Sequence, residues 1–187
     1  MNTERKNNVY RLTIGGLLLA IGIIIPRMFH IFGTGEIGKV LLPMHLGVFI
    51  AGIYLGASYG AIIGFITPLI NSIFGLPMFP HNLIMAIELA AYGFFAGLTM
   101  YLLQKNNIKR MRRSFRVYIS LIVSMILGRL INALALFIMA RVFAMTVPAP
   151  LTVFGSALTA IPGILIQLVL VPAIIFTLYA SQERYVR

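Results

Sequence analysis

Glu88 and Arg129 are the two residues whose types and setting most invite chemistry. Each is an ionisable group inside a long apolar stretch, 83–103 for the first and 117–139 for the second. Near the centre of a bilayer a charge costs at least ~2.5–3.5 kcal/mol on insertion scales, so it persists where it meets a partner, a protein interior or a polar ligand. Acid is otherwise scarce, with only Glu4, Glu36 and Glu183 besides Glu88 and no Asp at all. Asn132 follows Arg129 by three residues and shares its helical face. Asn71, Asn82, His45 and Lys39 fall toward the same predicted outer side. Such a set of cations, amides and one carboxylate suits a small polar organic molecule, the cations fitting a carboxylate. A structural Glu88–Arg129 ion pair fixing two helices is the plainer reading, and the two are compatible.

The elements that must position these groups follow from composition. Of 187 residues, 60% are hydrophobic and 10% charged, against about 25% charged in soluble domains. The expectation is an all-α integral membrane bundle forming one domain over 1–187, since no segment between the apolar runs is long enough for a soluble core. The net charge of +11 is unevenly distributed. Arg5, Lys6, Arg11, Lys105, Lys109, Arg110, Arg112, Arg113, Arg116, Arg184 and Arg187 all fall on one side of a six-span arrangement. That is the positive-inside pattern, placing both termini and the basic loop in the cytoplasm. The charge therefore reads as topology and anionic-lipid contact, not nucleic-acid binding.

Hydropathy and turn residues predict helices over 10–29, 44–55, 60–74, 81–103, 117–143 and 153–180. The basic start reads as a retained first helix, since no small-residue cleavage site follows the apolar run. A loop containing Glu36 and Lys39 leads to Pro43, the stretch 56–59 reads as a short turn, and Pro77 with Pro80 marks an outer turn, as do Pro148 and Pro150. The second and third helices are shorter than the roughly 20 residues that cross a bilayer. Pro68, Pro162 and Pro172 are read as kinks. Small residues recur at four-residue spacing in Gly52, Gly56, Gly60, Gly64, then Gly93 and Gly97, which predicts close internal packing. Gly16 and Ala20 make a similar pair on the first helix, a stripe open to another membrane protein.

Absences bound the chemistry. Without Cys there is no disulfide, thiolate metal site or thiol nucleophile. Without Asp there is no aspartyl dyad or aspartate-rich metal motif, and no HExxH or phosphate-binding lysine loop is present. No metal site is expected. His30, His45 and His81 sit at predicted outer helix ends, unsuited to paired haem ligation. No histidine accompanies the serines at matching depth, so an enzyme is not expected, nor is a cofactor in this chain.

Several segments, taken in order, resemble the substrate-binding subunits of energy-coupling factor (ECF) transporters. These are Gly16-Leu17-Leu18-Leu19-Ala20-Ile21-Gly22 ending in Pro26, Gly38-Lys39-Val40-Leu41-Leu42-Pro43-Met44-His45, Glu88-Leu89-Ala90-Ala91-Tyr92-Gly93, and Gly128-Arg129. The resemblance spans nearly the whole chain and implies a multi-pass prokaryotic plasma-membrane subunit that binds a vitamin. It also implies partnership with a transmembrane coupling subunit and two cytoplasmic ATPases, which would bind the ATP. Gly16 and Ala20 would meet the coupling subunit, with Gly16 standing where Ala is usual. The vitamin would sit near the outer face under the loop between the first two helices.

The particular pattern looks most like the pantothenate-type subunits. Pantothenate offers a carboxylate to Arg129 or Lys39, and an amide and hydroxyls to Asn71, Asn82 and Asn132. The lack of Trp disfavours a site built on indole stacking. Pyridoxine-type compounds and a hydroxymethylpyrimidine are the alternatives within this class. Outside it stand a self-sufficient proton-coupled carrier titrating Glu88 and a purely structural subunit.

Overall fold

A computed structural model describes residues 3–31, 43–75, 77–105, 111–142 and 160–185, together with 155 and 158. Within these the chain is all-helical. Helix α1 covers Thr3–Ile31, α2 Pro43–Ile50 with a π-helical turn Ala51–Leu55, α3 Ala57–Ile73, α4 His81–Lys105, α5 Arg113–Arg141 and α6 Ile161–Tyr185. Four segments, Asn8–Phe29, His81–Lys105, Arg113–Arg141 and Ile161–Ser181, are long and apolar enough to cross a membrane. The other two helices are short and apolar. At 17 residues α3 rises only about 25 Å, short of a hydrocarbon core of roughly 30 Å.

The short α2 and its π turn sit at the centre, packed against α1, α3 and α4. Gly56 adopts φ 108°, a left-handed conformation open to glycine, and so reverses the chain in a single residue. Its amide donates to the carbonyls of Ala51 at 3.2 Å and Gly52 at 3.0 Å. The Arg11 guanidinium, reaching over from α1, donates to the Leu55 carbonyl and so caps the end of the π turn. In that turn Ala51, Gly52, Ile53 and Leu55 are all buried.

The glycine spacing works as expected. A Cβ at Gly60 or Gly93 would strike the backbone of the other, one at Gly64 would strike Leu89, and one at Gly97 would strike Ala57. Backbone therefore touches backbone along the α3–α4 contact, which gives van der Waals packing where lipid supplies no hydrophobic drive between helices. A Cβ at Gly52 would meet the Gly93 carbonyl, which brings the π turn into the same contact.

Boundaries differ from expectation in ways that matter for the site. The turn before α3 is Gly56 alone, not 56–59, because one positive-φ residue suffices. The first helix starts seven residues earlier than position 10 and runs through Pro26, as polar residues extend it beyond the apolar span. The fifth helix begins at Arg113, so Arg113 and Arg116 are helical instead of lying in the loop. Pro162 is the second residue of α6 and not an internal kink; a first-turn proline loses no intrahelical hydrogen bond. Pro68 and Pro172 do lie inside their helices. Much of the predicted 153–160 segment, the 147–150 turn and the loop holding Lys39 lie outside the described residues.

Candidate functional site

Two apolar clusters leave a polar layer between them. The larger one gathers Leu18, Val48, Phe49, Leu89, Tyr92, Ala96, Met100, Val117, Leu121, Val171 and Ile175 among others. The smaller comprises Ile84, Ala135, Leu136 and Met139, backed by Leu83, Ile87 and Ala133. Glu88 on α4 and Arg129 with Asn132 on α5 fall in sequence between the residues each helix gives to the two clusters.

The geometry of that layer is specific. Arg129 Nη1 lies 3.6 Å from Glu88 Oε1. The Tyr92 hydroxyl donates to the same oxygen at 3.0 Å, one helical turn along α4. Asn132 interacts electrostatically with the Glu88 carboxylate, yet its own Oδ1 is buried with no hydrogen-bond partner among the described residues. The Glu88 side chain is 8% exposed and that of Arg129 22%. Glu88 is thus fully engaged, whereas Arg129 keeps an accessible edge.

Tyr92 joins this layer to α2. Its ring packs at 5.2 Å from that of His45 and 5.3 Å from that of Phe49. A Cβ at Gly128 would fall within the Tyr92 ring, so glycine before Arg129 makes room for the tyrosine that holds Glu88. Sequence reading named neither Tyr92 nor Gly128 as a site residue. The signal was present in the i, i+4 spacing of Glu88 and Tyr92 and in the glycine preceding Arg129. Gln167, buried within α6, is another polar residue that the apolar run concealed.

The structure thus gathers Glu88, Arg129, Asn132 and, through Tyr92, His45. Two further predicted residues are engaged elsewhere. Asn71 Nδ2 donates to the Gly22 carbonyl of α1 at 3.3 Å and to the Thr67 carbonyl at 3.0 Å. Asn82 Nδ2 donates to Ser72 Oγ at 3.2 Å, tying the end of α3 to the start of α4. Both amides bind helix to helix. Asn71 also borders a cleft of about 230 Å³ with Pro26, Arg27, Ile31, Met44, Phe74 and Gly75, where the Arg27 guanidinium stacks 3.9 Å over the Phe74 ring. Lys39 lies outside the described residues. Among those described, no cluster of three or more His, Asp or Glu side chains is placed to hold a metal ion.

On α1 the small residues divide by face. Gly15 and Gly22 are buried, the first packed against Tyr59 and Ile63 and the second against Thr67. Gly16 is exposed with open space around its Cα, and Ala20 is half-buried. Exposed Leu12, Leu17 and Ile24 extend this outward face.

These features define a membrane protein, all-helical among the described residues, with a buried charged layer and an exposed small-residue face. The model of the ECF transporter substrate-specific component family matches residues 10–175, so the chain belongs to that family. It is a transport subunit and not an enzyme, and the family implies a small-molecule substrate and the partners of an ECF module. No curated protein and no solved structure matches the chain.

Proposed function

We propose that this subunit binds pantothenate, or a closely similar anionic vitamin, at the Arg129–Asn132 edge of the polar layer. The observation that carries the reading is the contrast within α5. Arg129 keeps 22% of its side chain exposed, and beside it the buried Asn132 Oδ1 awaits a donor. A ligand that brings a carboxylate to the exposed edge of the guanidinium and a hydroxyl or amide N–H to Oδ1 matches this pair. Pantothenate carries these groups together; a hydroxymethylpyrimidine lacks the carboxylate. Glu88 and Tyr92 hold Arg129 in place, and His45 packs on Tyr92 as the far wall. Lys39 offers a second cation from the preceding loop.

In this reading both termini and the basic loop face the cytoplasm of a prokaryotic cell. The Gly16–Ala20 face meets the transmembrane coupling subunit, and two cytoplasmic ATPases hydrolyse the ATP. Arg129→Ala then weakens binding about ten- to a hundredfold in equilibrium titration, the worth of a charge-assisted hydrogen bond. The double substitution Glu88→Gln/Arg129→Gln separates the roles, because it removes the ion pair without leaving a lone buried charge. Normal affinity in that double variant would take Arg129 out of the site. Lys39→Ala in parallel reports whether the loop cation shares the carboxylate. Concentrative uptake by this chain alone in liposomes, driven by a pH gradient, would overturn the importer reading and make Glu88 a proton carrier.

A further inference from the structure

Arg116 and Ser120 lie at the basic end of the bundle, away from the polar layer. The Arg116 Nε and the Ser120 Oγ are both buried without a hydrogen-bond partner among the described residues, and Ser120 is 0% exposed. Burying a donor unsatisfied is costly, so a native site normally provides the missing acceptor. The two residues are four apart on α5, which puts their side chains on one face with Cβ atoms about 6 Å apart. Facing them, α6 presents Tyr179, whose ring lies 4.6 Å beneath the Arg113 guanidinium. Arg113 and Arg116 both act electrostatically on that tyrosine. Arg113 and Arg116 of α5 therefore meet Tyr179 of α6 where the two helices approach, and Ser120 lies one helical turn along α5 from Arg116.

The level of this cluster along the helices identifies its ligand class. Tyr101 on α4 and Phe115 and Tyr118 on α5 are exposed at the same end of the bundle, and the Lys105 ammonium lies 5.9 Å from the Tyr101 ring centre. Exposed aromatic rings beside cations mark the headgroup level of a bilayer. At that level the anion in reach is phosphate. Its oxygens accept hydrogen bonds in several directions at once and match the forked donors of Arg. A group of that size bridges donors anchored one helical turn apart.

We propose that Arg116 and Ser120, with Arg113 beside them, bind a phosphate group at the basic end of the bundle, between α5 and α6. Arg116 holds the charge, and the Ser120 hydroxyl, one turn deeper, donates to one of the phosphate oxygens. Two sources share this chemistry, the headgroup of an anionic phospholipid and free inorganic phosphate. The site is independent of the vitamin reading, being on other residues.

The test uses the full chain, purified in mild detergent from vesicles of phosphatidylcholine with phosphatidylglycerol. Native mass spectrometry reads the phosphatidylglycerol retained, and thermal unfolding is followed with and without added inorganic phosphate. Arg116→Gln should lower the bound phosphate ligand about tenfold and Ser120→Ala severalfold, with Arg116→Lys between them because it keeps charge but loses the fork. Vitamin affinity should be unchanged in all three, so failure here and failure of the vitamin reading are told apart. Lipid lost with Arg116 assigns the site to the headgroup. Stabilisation by inorganic phosphate that needs Arg116, with no lipid retained, assigns it to free phosphate. Equal lipid retention and equal phosphate response in wild type and Arg116→Gln would overturn the proposal. So would a Glu183→Gln variant that destabilises the protein as much as Arg116→Gln without adding to it, since the acceptor would then be a carboxylate of the chain itself.

Discussion

The same small-residue spacing occurs at the α3–α4 contact and on α1, and meets opposite fates in the two places. Between α3 and α4, Gly60 and Gly93 press backbone against backbone with no room for a methyl group at either. On α1, Gly16 has nothing within 4 Å of where a Cβ would stand. In lipid, small residues at four-residue spacing invite close helix approach. One pair has found its partner inside the chain, and the other is left open on the outside of the bundle. The spacing alone therefore says that helices meet; only the fold says which contact is internal and which face stays exposed. The first is a folding device. The second costs the isolated chain nothing, and the proposed function assigns it to assembly.

Stability measurements can break that contrast. The largest effect is expected for Gly93→Leu, which drives a branched side chain into the Gly60 backbone. A loss above ~4 kcal/mol would follow, seen as failure to elute as a single species on size-exclusion chromatography. Normal elution would mean the α3–α4 contact can open. Tyr92→Phe comes next, since it removes the bond to Glu88 Oε1 from a buried ion pair and should cost about 1.5–3 kcal/mol in thermal unfolding. Asn82→Ala removes one part-buried hydrogen bond to Ser72 and should cost about 1 kcal/mol. At the bottom of the scale, Gly16→Leu with Ala20→Leu should leave stability and vitamin affinity within error. The same double variant should nonetheless lose co-purification with a coupling subunit and its ATPases. A destabilised double variant would show that the α1 face is internal after all.

Much of the fold was legible because membrane helices announce themselves. Runs too apolar for water and prolines at turns point to six helices, and among the described residues six helices are found, with the expected two short. What the sequence could not reveal was where one residue does the work of several. Gly56 alone closes a turn for which the sequence predicts four residues, because a positive φ is a property of backbone geometry and not of polarity. Arg113 and Arg116 read as loop because their charge outweighed their helix propensity.

The candidate site was half legible. Glu88 and Arg129 stood out as charges in apolar runs and do pair, and the spacing of Asn132 to Arg129 brought it to the same carboxylate. Asn71 and Asn82 looked equally suited to a ligand, yet their amides donate to Gly22, Thr67 and Ser72. A buried Asn in a membrane run must find a partner, and residue type does not say whether that partner is a neighbouring helix or a solute. Tyr92 is not among the site residues read from the sequence, because only its hydroxyl is polar, and that hydroxyl holds Glu88.

The central claim is that the Arg129–Asn132 edge receives an anionic vitamin, and the most direct measurement identifies what the protein already carries. Small molecules released from the purified wild-type subunit and from Arg129→Ala would be identified and quantified by mass spectrometry. A carboxylate-bearing vitamin with hydroxyl or amide donors, pantothenate foremost, is expected near stoichiometric on the wild type and largely absent from Arg129→Ala. The same compound at equal occupancy on both proteins, or a ligand without a carboxylate, would contradict it.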